Sequence, residues 1–229
     1  YEDVFSQVRT WDQIIYHHLR KENIVIPPKK GGKKDEQYVG AYVKDPITGM
    51  HDWVVSFDLN SLYPHLIMQY NIKNPKDRSL DFEIAKYHNF QLVRKIQLNS
   101  AYGAIGNQYF RYYSTDVAEA ITTSGQLSIR WVADKLNLFL NKTIGTENYD
   151  YVVASDTDSI YVRLNKLVER FLPDCTDVNK IVDFLDKSSD KIIQPLIDKK
   201  YDELAKMMNA YENKMQMGRE VIAERGVWT

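Results

Sequence analysis

The chain has 229 residues, of which 44% are hydrophobic and 27% charged. That is apolar mass for one large or two small folded domains, which excludes a disordered or fibrous chain. A formal net charge of -1 argues against a surface that binds polyanions wholesale, while a local basic face remains open.

Cys175 is the only cysteine. This rules out a disulfide framework and a cysteine zinc site, and it fits a reducing compartment. No apolar run is long enough for a membrane span, and the N-terminal residues do not read as a signal peptide. The first residue is Tyr1 rather than Met, which points to a piece of something longer. Tyr is the leading aromatic, with 16 copies, a residue suited to core edges as well as to stacking on bases.

Residues 5–20 carry Val8, Trp11, Ile15 and Leu19 at helical spacing, which predicts a helix. "IVIPPKKGGKKDEQ" follows, with Pro27, Pro28, Gly31 and Gly32 among four lysines, and reads as a loop. "QYVGAYV" and "HDWVVSFD" are β-rich and separated by Pro46 and Gly49, which predicts a hairpin. After Asp58 a turn leads into a short helix with Pro64 in its first turn.

Residues 80–101 predict a helix through Phe82, Ala85, Phe90, Val93 and Leu98. Residues 116–140 form the longest periodic segment, stopped by Gly145. Two strands flank the Asp156/Asp158 bend, 177–208 has helical period, and "QMGREVIAERGVWT" reads as a strand. The pattern is α+β, a small antiparallel sheet with helices packed on one face.

Three stretches carry chemistry. "YDYVVASDTDSIYV" places Asp156 and Asp158 at the bend between two strands. Like charges this close destabilise each other, and a divalent cation would remove that cost, since Mg²⁺ takes one or two carboxylates plus substrate phosphates. An Asx turn explains the same residues without a metal. "VVSFDLNSLYP" again drives a strand into an aspartate, Asp58, followed by a helix start whose amides can bind phosphate. In "RKIQLNSAYGAIGN", Lys95, Asn99 and Tyr102 lie at offsets 0, 4 and 7, on one helical face. A cation, an amide and an aromatic in line could meet a phosphate, a sugar or base edge, and a base face. A solvated amphipathic helix would look the same.

Taken together and in order, "DLNSLYP", "KIQLNSAYG" and "SDTDSIYV" resemble motifs A, B and C of family B DNA polymerases. "YVGAYV" resembles the YxGG/A element upstream of motif A, and "FRYYSTDVAEAITTSGQ" has the character of the T4-like bacteriophage branch. The resemblance covers nearly the whole chain.

It implies a polymerase palm: a first palm part at 1–72, a remnant fingers helix with motif B at 73–103, and a second palm part at 104–229. It implies Asp58 and Asp158 as catalytic carboxylates that hold two Mg²⁺ ions, with Mn²⁺ as a possible substitute. The Leu59 carbonyl is implied as a further metal ligand and Asp156 as the less direct third acid. Ser61 and Leu62 correspond to backbone amides that hold the triphosphate, and Tyr63 to the gate that rejects a 2′-hydroxyl. Lys95 and Asn99 correspond to nucleotide contacts, and Tyr102 and Gly103 to the lining of the nascent base pair.

The expected reaction is two-metal nucleotidyl transfer from a dNTP to a primer 3′-hydroxyl. The expected partners are primer-template DNA and dNTP, in a monomer in the cytoplasm of an infected bacterial host.

The sequence also departs from the pattern. Only about twenty residues separate Ile72 from Lys95, where the family has a longer fingers segment, and Arg78, Lys86 and Arg94 are weak stand-ins for its basic helix. Past "GVWT" the family continues into a primer grip and a thumb. Ala154 and Ser155 precede Asp156 where the family often has Tyr-Gly. The expectation is therefore a polymerase core weak or inactive by itself. The alternative is a non-catalytic DNA- or metal-binding fragment, or one half of a split polymerase that needs missing segments or a partner chain.

Overall fold

The computed structural model describes residues 7–28, 37–70 and 100–229. The chain divides into two compact units, one of Tyr1–Gly40 with Ser61–Ser124 and one of Ala41–Asn60 with Gly125–Thr229.

The first unit is helical. Helix α1 (Gln7–Lys21) buries Trp11, Ile15 and Leu19, which recur every four residues and so form one stripe. The stripe packs on Ile67 of α2 (Leu62–Gln69), on Ala101, Ala104 and Ile105 of a helical stretch at 100–105, and on Val117, Ala118 and Ile121 of α3 (Thr115–Ile144). Polar bonds fix the arrangement. Trp11 Nε1 donates to Ser100 Oγ at 3.0 Å, Arg111 pairs with Asp12 at 3.0 Å, and the Thr122 hydroxyl donates to the Val39 carbonyl at 2.6 Å. Helix α3 ends where Gly145 takes φ +75, the left-handed conformation that closes helices.

The second unit holds a five-stranded antiparallel sheet with strand order β1-β3-β4-β2-β5. The strands are β1 (Val43–Lys44), β2 (Gly49–Leu59), β3 (Val152–Asp156), β4 (Ser159–Arg163) and β5 (Met217–Trp228). Alternation along β2 sends Val55, Phe57 and Leu59 to one face, and all three are buried. The remaining helices are α4 (Asn165–Phe171), α5 (Val178–Ser188) and α6 (Gln194–Met207). Asp177 caps α5 by accepting the Asn179 and Lys180 amides. Trp131 of α3 donates to the Lys200 carbonyl of α6 at 2.9 Å.

The α+β class matches the sequence reading, and two details differ from it. The expected hairpin does not form, because β1 pairs with β3. Both edges of β2 are taken by β4 and β5, so no ladder position is left for the upstream strand. Nor is 177–208 one helix, since a five-residue π turn, Ser189–Ile193, separates α5 from α6. Pro195 follows at the second position of α6. A proline lacks the amide that would continue the ladder, and its ring clashes with the carbonyl four residues back. A wider turn relieves that clash.

The expected helix at 80–101 falls mostly outside the described residues, as do Lys95 and Asn99. Among the described residues no helix is long and apolar enough to cross a membrane.

Candidate active site

The β3–β4 hairpin closes in a two-residue turn, Thr157 and Asp158. Thr157 has φ 53, a conformation that β-branched residues avoid, so the turn is held from several sides. The Thr157 amide donates to the Tyr42 carbonyl at 3.0 Å, and its hydroxyl donates to Asp156 Oδ1 at 3.0 Å. The Ser159 hydroxyl donates to the Asp156 carbonyl at 3.2 Å, and the buried Ser155 hydroxyl donates to the Ser159 carbonyl at 3.0 Å. Strain of this kind persists only where the surroundings over-determine it, and it clusters at functional sites.

The register then assembles the acids. Asp156 pairs with Ser159 across β3–β4, Ser159 with Asp58 across β4–β2, and Asp58 with Gly218 across β2–β5. One row therefore runs Asp156–Ser159–Asp58–Gly218 over four strands. The Leu59 amide donates to the Asp158 carbonyl at 2.8 Å, so the backbones carrying Asp58 and Asp158 are joined directly. Phe57, next to Asp58, is fully buried, and alternation turns Asp58 to the opposite face. Asp58 and Asp158 are half-buried, and Asp156 is exposed.

Beyond Leu59, which pairs with Met217, the Asn60 amide donates to the Gln216 carbonyl at 2.8 Å. Ser61 then takes φ 50 and makes no side-chain cap bond. The chain turns there into α2, where Leu62 and Tyr63 are the first two residues and Pro64 the third. Amides in such a first turn have no partner within the helix.

In the first unit Tyr63 and Tyr102 stack with ring centroids 4.4 Å apart at 34°, and the Tyr102 hydroxyl donates to that of Tyr38 at 3.4 Å. Burial, with the Tyr38 contact added, pushes the Tyr102 phenol above its ordinary range. Gly106 makes room for Tyr38: a Cβ there would collide with the Tyr38 hydroxyl, and the ring carbon bearing it lies 3.4 Å away. Gly103 differs, because a Cβ there would meet nothing within 4 Å. Packing does not require that glycine.

Sequence reading passed over Glu220 and assigned no role to Tyr38. Glu220 is exposed and is the extra residue of a bulge, since Arg219 pairs with Phe57 and Val221 with Ser56. Its signal was weak, since Arg219, Glu224 and Arg225 are further charges in the same strand. The signal for Tyr38 was the YxGG/A resemblance itself. Among the described residues no three His, Cys, Asp or Glu side chains form a ready metal cage. Hard carboxylate oxygens supplied one or two at a time, with the remaining ligands from substrate phosphates, are the usual Mg²⁺ arrangement. The donor set Asp58 and Asp158 fits that pattern.

Comparison with known proteins bears on what this site serves. The family model for DNA polymerase family B matches residues 6–76 and 73–187. The DNA-directed DNA polymerase of Escherichia phage RB69 is 28% identical over 336 residues, covering 97% of this chain and 37% of that protein. The DNA-directed DNA polymerase of Enterobacteria phage T4 is 29% identical over 336 residues, with the same coverage. DNA polymerase 1 of Aeropyrum pernix is 25% identical over 248 residues, 80% of this chain and 24% of that protein.

The chain thus spans well under half the length of these relatives. The phage alignments are over a hundred positions longer than the chain itself, and the family match breaks into two pieces that meet at residues 73–76. That junction falls where the sequence is short between its first two motifs. With the model matched over most of its length, the chain belongs to DNA polymerase family B.

Proposed function

We propose that this chain is the palm core of a template-directed DNA polymerase, with Asp58 and Asp158 as the metal-binding carboxylates of nucleotidyl transfer. The observation that carries the reading is the Leu59 amide to Asp158 carbonyl bond of 2.8 Å. It brings two acids a hundred residues apart in sequence onto neighbouring backbones. In the reaction the primer 3′-oxygen bonds to the α-phosphorus of a dNTP, the α–β anhydride bond breaks, and pyrophosphate leaves.

Two Mg²⁺ ions, when bound, supply charge compensation for the attacking and leaving oxygens. The chain's own residues hold and select. Asp58, Asp158 and the Leu59 carbonyl hold the ions, and Asp156 adds negative potential from the end of the acid row. The Ser61 and Leu62 amides bind the triphosphate at the left-handed entry to α2. Tyr63, braced by Tyr102, lies under the sugar and excludes a 2′-hydroxyl by bulk. Gly103 leaves space through which a base pair can approach the helix. Lys95 and Asn99 complete the nucleotide contacts. Primer-template DNA and dNTP are the substrates.

A second reading is that the chain acts only with another polypeptide, as half of a split polymerase. The hundred and more alignment positions absent from this chain favour it, because the family match breaks at 73–76, next to the segment expected to help grip the triphosphate. Primer extension with Mg²⁺ separates the readings. Incorporation by the chain that Asp58→Ala and Asp158→Ala each abolish supports the first. Incorporation only after fingers and thumb polypeptides are added, still dependent on both acids, supports the second. Extension by both variants at the wild-type rate refutes the assignment of the acids.

A further inference from the structure

The acid row ends on β5, an edge strand, so among the described residues no strand holds one side of its start. The helical layer does that work. Arg219 pairs across the ladder with Phe57, which is fully buried, so both side chains lie on the covered face. The Arg219 guanidinium bonds Asp186 of α5 and lies 3.9 Å from Asp190 in the π turn. Gln194, at the start of α6, donates its side-chain amide to the Met217 carbonyl at 2.5 Å.

Asp186, Asp190 and Gln194 follow one another at intervals of four across the junction between two helices, and all three reach the first three residues of β5. One step on, the ladder breaks. Glu220 is the extra residue, and the Val221 amide donates to the Ser56 hydroxyl at 3.2 Å. The grip thus acts on the covered face, one residue from Asp58 on β2 and one residue from the bulge on β5.

We infer that Arg219, gripped by Asp186 and Asp190, is a positioning residue that fixes the seat of Asp58 against the Asp156–Ser159 turn and so sets the divalent-cation affinity of the acid row. The inference rests on the metal role proposed above for Asp58. It also makes a prediction whose sign separates it from simple electrostatics. Removing a positive charge near a cation site strengthens cation binding by Coulomb's law, whereas removing a positioning group weakens it. Groups that orient metal ligands from behind are worth about 10–100-fold in affinity, and Arg219 acts through backbone, so the lower end applies.

The test is titration of the full chain with Mn²⁺ alone, followed by electron paramagnetic resonance, with a thermal melt on each variant. Arg219→Met is expected to weaken Mn²⁺ binding about tenfold. Arg219→Lys, which keeps a cation for Asp186, should recover most of it. Arg219→Met added to Asp58→Asn should weaken binding no further than Asp58→Asn alone. If Arg219→Met fails to fold, Arg219→Gln carries the same expectation.

Unchanged or tighter binding in the folded neutral variants, with Asp58→Asn still weakening it, overturns the positioning role and leaves the proposed function standing. Wild-type binding by Asp58→Asn overturns the metal reading and this inference with it.

Discussion

The two ends of the β3–β4 hairpin place carboxylates in opposite settings. At the open end, Asp150 accepts from Lys44 at 2.5 Å, from Asn137 at 2.9 Å and from the Val152 amide at 3.2 Å. Arg163 donates to the Asp150 carbonyl at 3.0 Å and stacks its guanidinium 4.1 Å from the Tyr149 ring. Asn137 reaches in from α3 and also accepts the Tyr151 amide at 2.8 Å. Every donor there comes from the protein, and the network ties sheet to helix.

At the turn end, Asp156 takes a hydroxyl from its own neighbour, Thr157 sits in a strained left-handed conformation, and Asp58 arrives from another strand. The contrast separates a structural aspartate from acids that we propose are held for a ligand. The first is bound by cations and amides that fold with it. The second set stands at a turn whose left-handed shape costs stability.

The comparison can be broken most sharply by exchanging losses between the ends. Asp158→Asn is expected to lower primer extension by about 10²–10³-fold or more, the scale of removing a preorganised electrostatic group. Its melting temperature should stay equal or rise, because one like charge has gone. A stability loss as large as the activity loss would place Asp158 in the structural class.

Asp150→Ala is expected to do the reverse. It should cost about 1–2 kcal/mol in urea unfolding, since several donors lose one acceptor that is partly exposed to water, while Mn²⁺ affinity holds.

The third effect is on pH. Burial alone would raise Asp150, but Lys44, Asn137 and the Val152 amide outweigh it and hold its carboxyl below the usual carboxylate range. The unfolded chain therefore takes up this proton first as pH falls. The contribution is fully present above the ordinary carboxylate pKa and is lost as pH drops through the depressed folded value. Lys44→Met should flatten the acid limb of stability against pH below the ordinary carboxylate pKa of about 4, and an unchanged limb would show that the network does not hold this proton.

Smallest of all, Thr157→Asn should raise stability by up to about 1 kcal/mol, since Asn tolerates the left-handed region where Thr is strained. A destabilised variant would show that the hydroxyl bond to Asp156 outweighs the strain.

What could be read from the sequence follows the range of the interactions. Trp11, Ile15 and Leu19 announce α1 because a helix is a local object, and the expected 5–20 compares with Gln7–Lys21. The long period of 116–140 likewise compares with Thr115–Ile144. The bend at Asp156 was legible because turn chemistry is also local. The pairing of β1 was not, since β2 fills both its edges with strands from a hundred residues and more downstream. The π turn was signalled only by Pro195, which a smooth helical period hides. The row Asp156–Ser159–Asp58–Gly218 is a product of register, and no window of sequence contains it. Motif resemblance supplied Asp58 and Asp158 as a pair before any geometry did. It supplied nothing for Arg219, Glu220 or the fit of Tyr38 over Gly106, which exist only once β5 and the helices are placed.

The central claim is that Asp58 and Asp158 serve one shared cation site. Mn²⁺ titration of Asp58→Asn, Asp158→Asn and the double variant tests it most directly. If the carboxylates share the site, each single change removes most of the affinity and the double variant is hardly worse than either. If the two losses instead add in full, or both single variants bind Mn²⁺ as the wild-type chain does, the acids do not act together and the account fails.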